Sequence, residues 1–252
     1  MSKRTTFFRA LTLAAPIAAC GLALALHAQQ PANPTPAELA HLHQLAGNFA
    51  QLDRYAAANA ALPPTQKGRI VFYGDSITDA WAGGKHIFFP GKPYIGRGIS
   101  GQTTAQMLIR FRQDVIDLHP DAVVILAGTN DIAGNTGDVT QQQIADNFIS
   151  MAELARANHI RVILASVLPA ADYKWRPGRN PIPKIAALNT WMKQYCETSH
   201  FTYLDYYSAL NDGSGGMKPG LSSDGVHPTD AGYAIMAPLA EAAIAEAEKH
   251  KP

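Results

Sequence analysis

Beyond Gly68 the chain alternates two kinds of apolar pattern. Short, almost wholly apolar runs rich in β-branched and aromatic residues fall at residues 70–73, 122–126, 162–167 and 202–206, with a shorter candidate at Tyr94-Ile95. Between them lie longer segments, at residues 104–118, 140–158, 184–199 and 229–249, whose apolar positions recur every three or four residues. The first pattern predicts strands buried on both faces, the second amphipathic helices. Strands that alternate with helices of this length predict βαβ crossovers, hence a parallel sheet covered on both faces in one three-layer αβα unit. Pro238, inside the last helical segment, is expected to kink it.

Ahead of this unit, Thr35-Pro36-Ala37-Glu38 reads as a capping box with proline at the first helical position. Leu39, Leu42, Leu45, Phe49 and Leu52 then continue a helical period. The pattern predicts one amphipathic helix that ends before Pro63-Pro64 and packs outside the sheet.

The N-terminus follows a different logic. Lys3, Arg4 and Arg9 precede an uncharged apolar stretch from Ala10 to Leu26, the layout of an export signal covering residues 1–28. A membrane span is disfavoured because the stretch is short, contains Pro16 and runs into a Pro-rich linker at residues 29–36. Small residues ending at Ala28 suit ordinary signal cleavage. Ile17-Ala18-Ala19-Cys20 resembles a lipoprotein box that would leave a lipid anchor on Cys20, but the apolar run continues past that cysteine, which favours Ala28. Either scheme places the mature chain, a single domain over residues 37–252 with its core at about 68–250, in the periplasm or outside the cell.

Removing the signal alters the composition. The full chain of 252 residues has 21 Lys and Arg against 20 Asp and Glu; cleavage after Ala28 removes three basic residues and leaves 18 against 20, a formal charge of −2. That balance argues against a nucleic-acid partner, and 47% hydrophobic residues argue against disorder. Cys196 is then the only cysteine. It falls in helical register with Leu188, Trp191, Met192 and Tyr195, a core position for a structural thiol.

In sheets of this kind, sites form where strands end and helices begin. Four polar segments lie at such points. Gly74-Asp75-Ser76-Ile77-Thr78 places a serine where its Oγ can project at the sheet edge, although Thr78 breaks the Gly-x-Ser-x-Gly elbow. Gly96-Arg97-Gly98-Ile99-Ser100-Gly101 fits Gly-x-Gly-x-x-Gly, but Asp121, the acidic residue with the spacing of a dinucleotide site, begins its strand rather than ending it. The segment is better read as a tight loop lining a cleft. Gly128-Thr129-Asn130-Asp131 supplies a primary amide that can donate to an anionic oxygen, or an ordinary Asx turn. Ser222-Ser223-Asp224-Gly225-Val226-His227 sets a carboxylate three residues from an imidazole. Each segment alone is unspecific; together and in this order they are not.

The ordered set resembles the SGNH hydrolases, also called the GDSL esterase/lipase family. Its four blocks fall here on Ser76, Gly101, Asn130, and Asp224 with His227. The surroundings of Ser76, Gly101 and Asn130 resemble the branch with platelet-activating-factor acetylhydrolase-like proteins, with Ile77 where the family name has leucine. The resemblance implies a flavodoxin-like SGNH fold and ester hydrolysis through an acyl-enzyme. Ser76 would be the nucleophile, His227 the base and Asp224 its orienting carboxylate, with Ser76, Gly101 and Asn130 forming an oxyanion hole and no cofactor or metal required.

The remaining histidines do not suggest a metal site, since His41 and His43 point to different faces of the predicted helix. Substrate contacts are expected from the loops at residues 79–93, 168–183 and 211–221, with Trp81 and Trp175 as candidate binding residues against packing beneath the loops as the alternative. A small-molecule or glycan ester with a short acyl group is the expected substrate. A lysophospholipase or thioesterase of the same mechanism, and a non-catalytic glycan-binding protein on this scaffold, stand as alternatives.

Overall fold

The computed structural model describes residues 35–249. The export signal, both cleavage points and linker residues 29–34 lie outside them. The chain divides into two compact units between His41 and Leu42, and the second holds the sheet and all the predicted site residues.

Helix α1 (Pro36–Gly47) begins where the capping signal predicts, but it does not continue to Pro63-Pro64. It stops at Gly47, and a separate short helix α2 forms at Ala56–Ala60. Glycine is a poor helix residue, and the Asn48 carboxamide accepts the Leu52 N–H at 3.2 Å and donates to Asp53. Gln51 also takes a left-handed φ of 52°. The backbone of this turn is held by two glutamines: Gln102 Nε2 donates to Ala50 O and Gln106 Nε2 to Phe49 O.

The five strands β1 (Ile70–Gly74), β2 (Tyr94–Gly98), β3 (Ala122–Leu126), β4 (Arg161–Ala165) and β5 (Thr202–Leu204) pair in parallel, in the order β2-β1-β3-β4-β5. Side chains alternate between faces along each strand. Val71, Tyr73, Val123 and Ile125 face a core built with helices α4 (Thr104–Asp114), α6 (Gln141–Ala157) and α7 (Pro181–Ser199). Ile70, Phe72, Val124 and Leu126 face a second core that includes Ile77 of α3 (Ser76–Ala80), Tyr206 and Leu210 of α8 (Tyr206–Leu210) and the inner side of α9 (Asp230–Ala247). The three layers and the parallel sheet are those predicted. Cys196 is buried on α7, and burial pushes its thiol up to about 12, as befits a core thiol.

The chain passes from β1 to β2 on one side and then crosses back to β3 on the other side of β1, so strand order reverses at β1. The crevice beyond the carboxyl ends of β1 and β3 is therefore the place for a ligand in a doubly wound sheet. Two glycines bring α3 hard against these ends. A Cβ on Gly74 would lie 2.3 Å from Thr78 Oγ1, and one on Gly98 would lie 2.2 Å from Asp79 N. Asp121 precedes β3 at the opposite edge, where it accepts the Gly68 N–H at 2.6 Å, so the Gly-x-Gly-x-x-Gly segment has no ribose partner there. Among the described residues no helix is long and apolar enough to cross a membrane.

Candidate active site

Ser76 is the first residue of α3. Asp75, which caps that helix, accepts the Ile77 N–H at 3.0 Å and so fixes the turn that presents the serine. Ser76 Oγ lies 2.8 Å from His227 Nε2, although 151 positions separate the two residues. His227 Nδ1 lies 2.6 Å from Asp224 Oδ2. The other carboxylate oxygen accepts the backbone N–H groups of Val226 at 2.9 Å and His227 at 2.8 Å, and the Ser222 hydroxyl at 3.1 Å.

These contacts decide the tautomer. An ionised carboxylate accepts only, so it draws the imidazole proton to Nδ1 and leaves the Nε2 lone pair for the Ser76 hydroxyl. Partial burial raises the Asp224 pKa, but the His227 ring, the His227 and Val226 N–H groups and the histidine's charge together hold it well below the usual carboxylate range.

Gly101 and Asn130 come to the same crevice by different routes. Gly101 sits third in the turn from Ile99 to Gln102, which closes through Gln102 N donating to Ile99 O at 3.3 Å, and its φ of 80° suits glycine. The preceding Ser100 is anchored by its hydroxyl donating to Asp79 at 2.7 Å. Asn130 lies in α5 (Thr129–Ala133), which follows β3. It is buried, with Nδ2 donating to Gln102 O at 2.9 Å and to Asp75 Oδ2 at 3.2 Å. Both amide hydrogens thus have acceptors, and an oxyanion would have to take over the longer bond to Asp75. Burial of Asp75 pushes its pKa up to about 6, against the lowering effects of the Ile77 N–H and the His227 charge. The neighbouring Asp131 accepts the Thr104 N–H and hydroxyl, which ties α5 to the start of α4.

Trp81 and Trp175 separate. Trp81 is only 2% exposed, packs among Phe72, Phe89 and Tyr233, and donates its indole N–H to Ile87 O at 2.9 Å. It is a core residue, which corrects its assignment to substrate binding. Tyr173 is likewise buried. Trp175 is 41% exposed, and its ring centroid stands 6.3 Å from that of His227. Beside Ser76 and His227 opens a cavity of about 490 Å³, bordered by Lys85, His86, Ser100 and Asp230.

Two supporting residues escaped the sequence reading. Arg110 is fully buried on α4 and donates to Gly74 O and Arg97 O at 2.9 Å, to Gln102 Oε1 at 2.6 Å and to Asp114 at 3.0 Å. It therefore grips the chain just before Ser76 and just before Gly101. Asn135, one turn beyond Asn130, accepts the Trp175 indole N–H and donates to Asn130.

Serine, imidazole and carboxylate joined by hydrogen bonds at the carboxyl edge of a doubly wound sheet have the geometry of a serine hydrolase. The GDSL-like Lipase/Acylhydrolase family matches residues 72–235, and the chain belongs to that family. Among solved structures, a GDSL-like lipase from Bacteroides thetaiotaomicron is 47% identical, with a TM-score of 0.75 covering 79% of this chain and 99% of the other. An acetylxylan esterase from Geobacillus stearothermophilus, 20% identical over 73% of this chain and 96% of the other with a TM-score of 0.57, shares the fold. An uncharacterized lipoprotein of Bacillus subtilis is 36% identical over 81 residues, 31% of this chain and 33% of that protein.

Proposed function

We propose that this protein is an exported serine esterase that hydrolyses short-acyl carboxylic esters, acetyl esters of glycans in particular, through an acyl-enzyme. The observation that carries the reading is the continuous chain from Ser76 Oγ to His227 at 2.8 Å and from His227 to Asp224 at 2.6 Å. Ser76 Oγ attacks the ester carbonyl while His227 Nε2 takes its proton, forming the new C–O bond as the carbonyl becomes an oxyanion. The N–H groups of Ser76 and Gly101 and the Asn130 amide receive that charge, the amide giving up its bond to Asp75. The imidazolium, held by Asp224, then passes its proton to the departing alcohol. Water repeats the sequence on the acyl-enzyme and releases the acid.

The polar border of the cavity supports a sugar-like alcohol over a long acyl chain, since Lys85, His86, Ser100 and Asp230 offer hydrogen-bonding groups rather than an apolar trough. The apolar leader ending at Ala28 supports export, and the lipoprotein relative supports anchoring through Cys20 as the other processing route. The test is a panel of p-nitrophenyl esters from acetate to palmitate beside acetylated xylan, with fluorophosphonate labelling of wild type and Ser76→Ala. Turnover falling with chain length, release of acetate from xylan and an adduct on Ser76 alone are expected. Activity rising toward palmitate would remove the short-acyl assignment, and no adduct on Ser76 would favour a binding protein.

A further inference from the structure

The side chain of Asn135 uses both of its donors and its oxygen at the site. Its Nδ2 donates to Gly101 O at 3.0 Å and to Asn130 Oδ1 at 2.9 Å, and its Oδ1 accepts the Trp175 indole N–H at 3.0 Å. Three segments far apart in sequence meet on one carboxamide. Its backbone is fixed as well, with Asn135 N donating to Asn130 O at 3.0 Å and Gly134 turning the chain at φ 74°.

The order of these bonds has a consequence. A carboxamide has two ends of nearly equal shape and opposite polarity, so a neighbour must decide which way it faces. An indole N–H can only donate, so Trp175 forces the oxygen of Asn135 toward itself and the amino group toward Gly101 and Asn130. That amino group in turn claims the oxygen of Asn130. Asn130 is left with its own amino group turned toward Asp75 and Gln102 O, the side from which it would serve an oxyanion.

From this relay we infer that Asn135 is a positioning residue for the oxyanion hole, coupling Trp175 at the open rim to the orientation of Asn130 and to the Gly101 peptide. The inference rests on the esterase reading and names a further determinant of that site. Because the oxyanion exists only beyond the ground state, a misoriented donor lowers kcat and spares KM. Trp175 holds the relay from outside: its ring packs against buried Tyr173 at 5.0 Å between centroids and the residue is 41% exposed, so a substrate resting on it would press on the bond that sets the amide.

The experiment compares Asn135→Ala, Asn135→Asp and Trp175→Phe with wild type on p-nitrophenyl acetate, and follows the Asn130 side-chain amide and Trp175 indole protons by NMR. Asn135→Ala is expected to lower kcat roughly 10–100-fold, short of the loss for removing an oxyanion donor outright, with KM within about threefold. Asn135→Asp, nearly identical in shape, places a carboxylate against two carbonyl oxygens and should fall at least as far. Trp175→Phe keeps an aromatic ring but lacks the indole N–H; at a half-exposed position it leaves the core intact and should lose roughly 3–10-fold in kcat. The Asn130 amide protons should exchange faster in all three variants. Wild-type kcat in Asn135→Ala, or a change in KM alone, would overturn the inference, as would unaltered Asn130 protection. If wild type itself hydrolysed no ester, the functional reading would fail, and the exchange of the Asn130 protons would still decide whether Asn135 holds that amide.

Discussion

Replacing Asp224 with asparagine changes little in shape and inverts the logic of the site. The Asp224 Oδ1 contacts to Ser222, Val226 and His227 N all come from donors, so the new amide oxygen must remain there. The amide nitrogen then occupies the Oδ2 position, 2.6 Å from His227 Nδ1 in the native protein. A donor there requires Nδ1 to be an accepting lone pair, which moves the imidazole proton to Nε2, facing Ser76. A protonated Nε2 cannot take the serine proton. The expected loss in kcat is on the order of 10⁴, or about 5.5 kcal/mol of activation free energy, with KM for p-nitrophenyl acetate little changed. Stability provides a second readout. The Asp224 pKa is depressed by folding from an ordinary value of 3.8, so its stabilisation is present above 3.8 and is lost as pH falls through the lower folded value. The side chain is 37% exposed, so solvent reduces that contribution. Thermal midpoints of wild type and Asp224→Asn should therefore differ at pH 7 and converge in acid. A variant within tenfold of wild-type kcat would refute the tautomer argument, because it would mean that the carboxylate only fills space.

Asp75 should titrate with the opposite sign. Its pKa rises from 3.8 to about 6 in the folded protein, so the folded state holds its proton longer and stability falls as pH climbs between those values, by about 3 kcal/mol at most. Urea unfolding of wild type and Asp75→Asn at pH 4 and pH 7 would show this slope in the former only; equal slopes would remove the assignment. The two tryptophans should part in a second comparison. Trp81→Ala is expected to cost about 3–5 kcal/mol of stability as a buried ring, and Trp175→Ala about 0.5 kcal/mol or less while lowering turnover. Thermal unfolding and ester kinetics on both variants check this, and a stability loss at Trp175 equal to that at Trp81 would contradict it.

The fold was legible where pattern and residue type agreed. The central strands, buried on both faces, stand out as apolar runs. Strand β2 was faint because it is an edge strand with glycine at Gly96 and Gly98, which lowers the propensity signal at the place where α3 needs room. The helical period carried past Gly47 into a turn because Phe49 and Leu52 keep the spacing by coincidence; Leu52 is exposed. Ser76, Asp224 and His227 were singled out through short motifs whose residue types suit acyl transfer, and the fold brings their side chains within hydrogen-bonding distance. Trp81 was misread because a loop aromatic facing a core and one facing a cleft look alike in sequence; only the neighbours Phe72, Phe89 and Tyr233 tell them apart.

Arg110 shows what kind of signal was available and unused. Met107, Arg110, Phe111 and Asp114 follow the spacing of one helix face, and all four are fully buried. Two of the four are charged, with opposite signs four residues apart, on the stripe where apolar residues belong. Burying such a pair is unfavourable unless most of its hydrogen-bonding capacity is met, and here the guanidinium meets it on Gly74 O, Arg97 O and Gln102 as well as on Asp114. Two of those acceptors, Gly74 O and Arg97 O, lie where β1 and β2 end, just where the chain must leave the sheet to present Ser76 and Gly101. A charged pair on an apolar stripe therefore marked, in the sequence, the helix that faces the strand ends, because parallel strands that stop to build a site leave carbonyls that water cannot reach and a buried donor must satisfy.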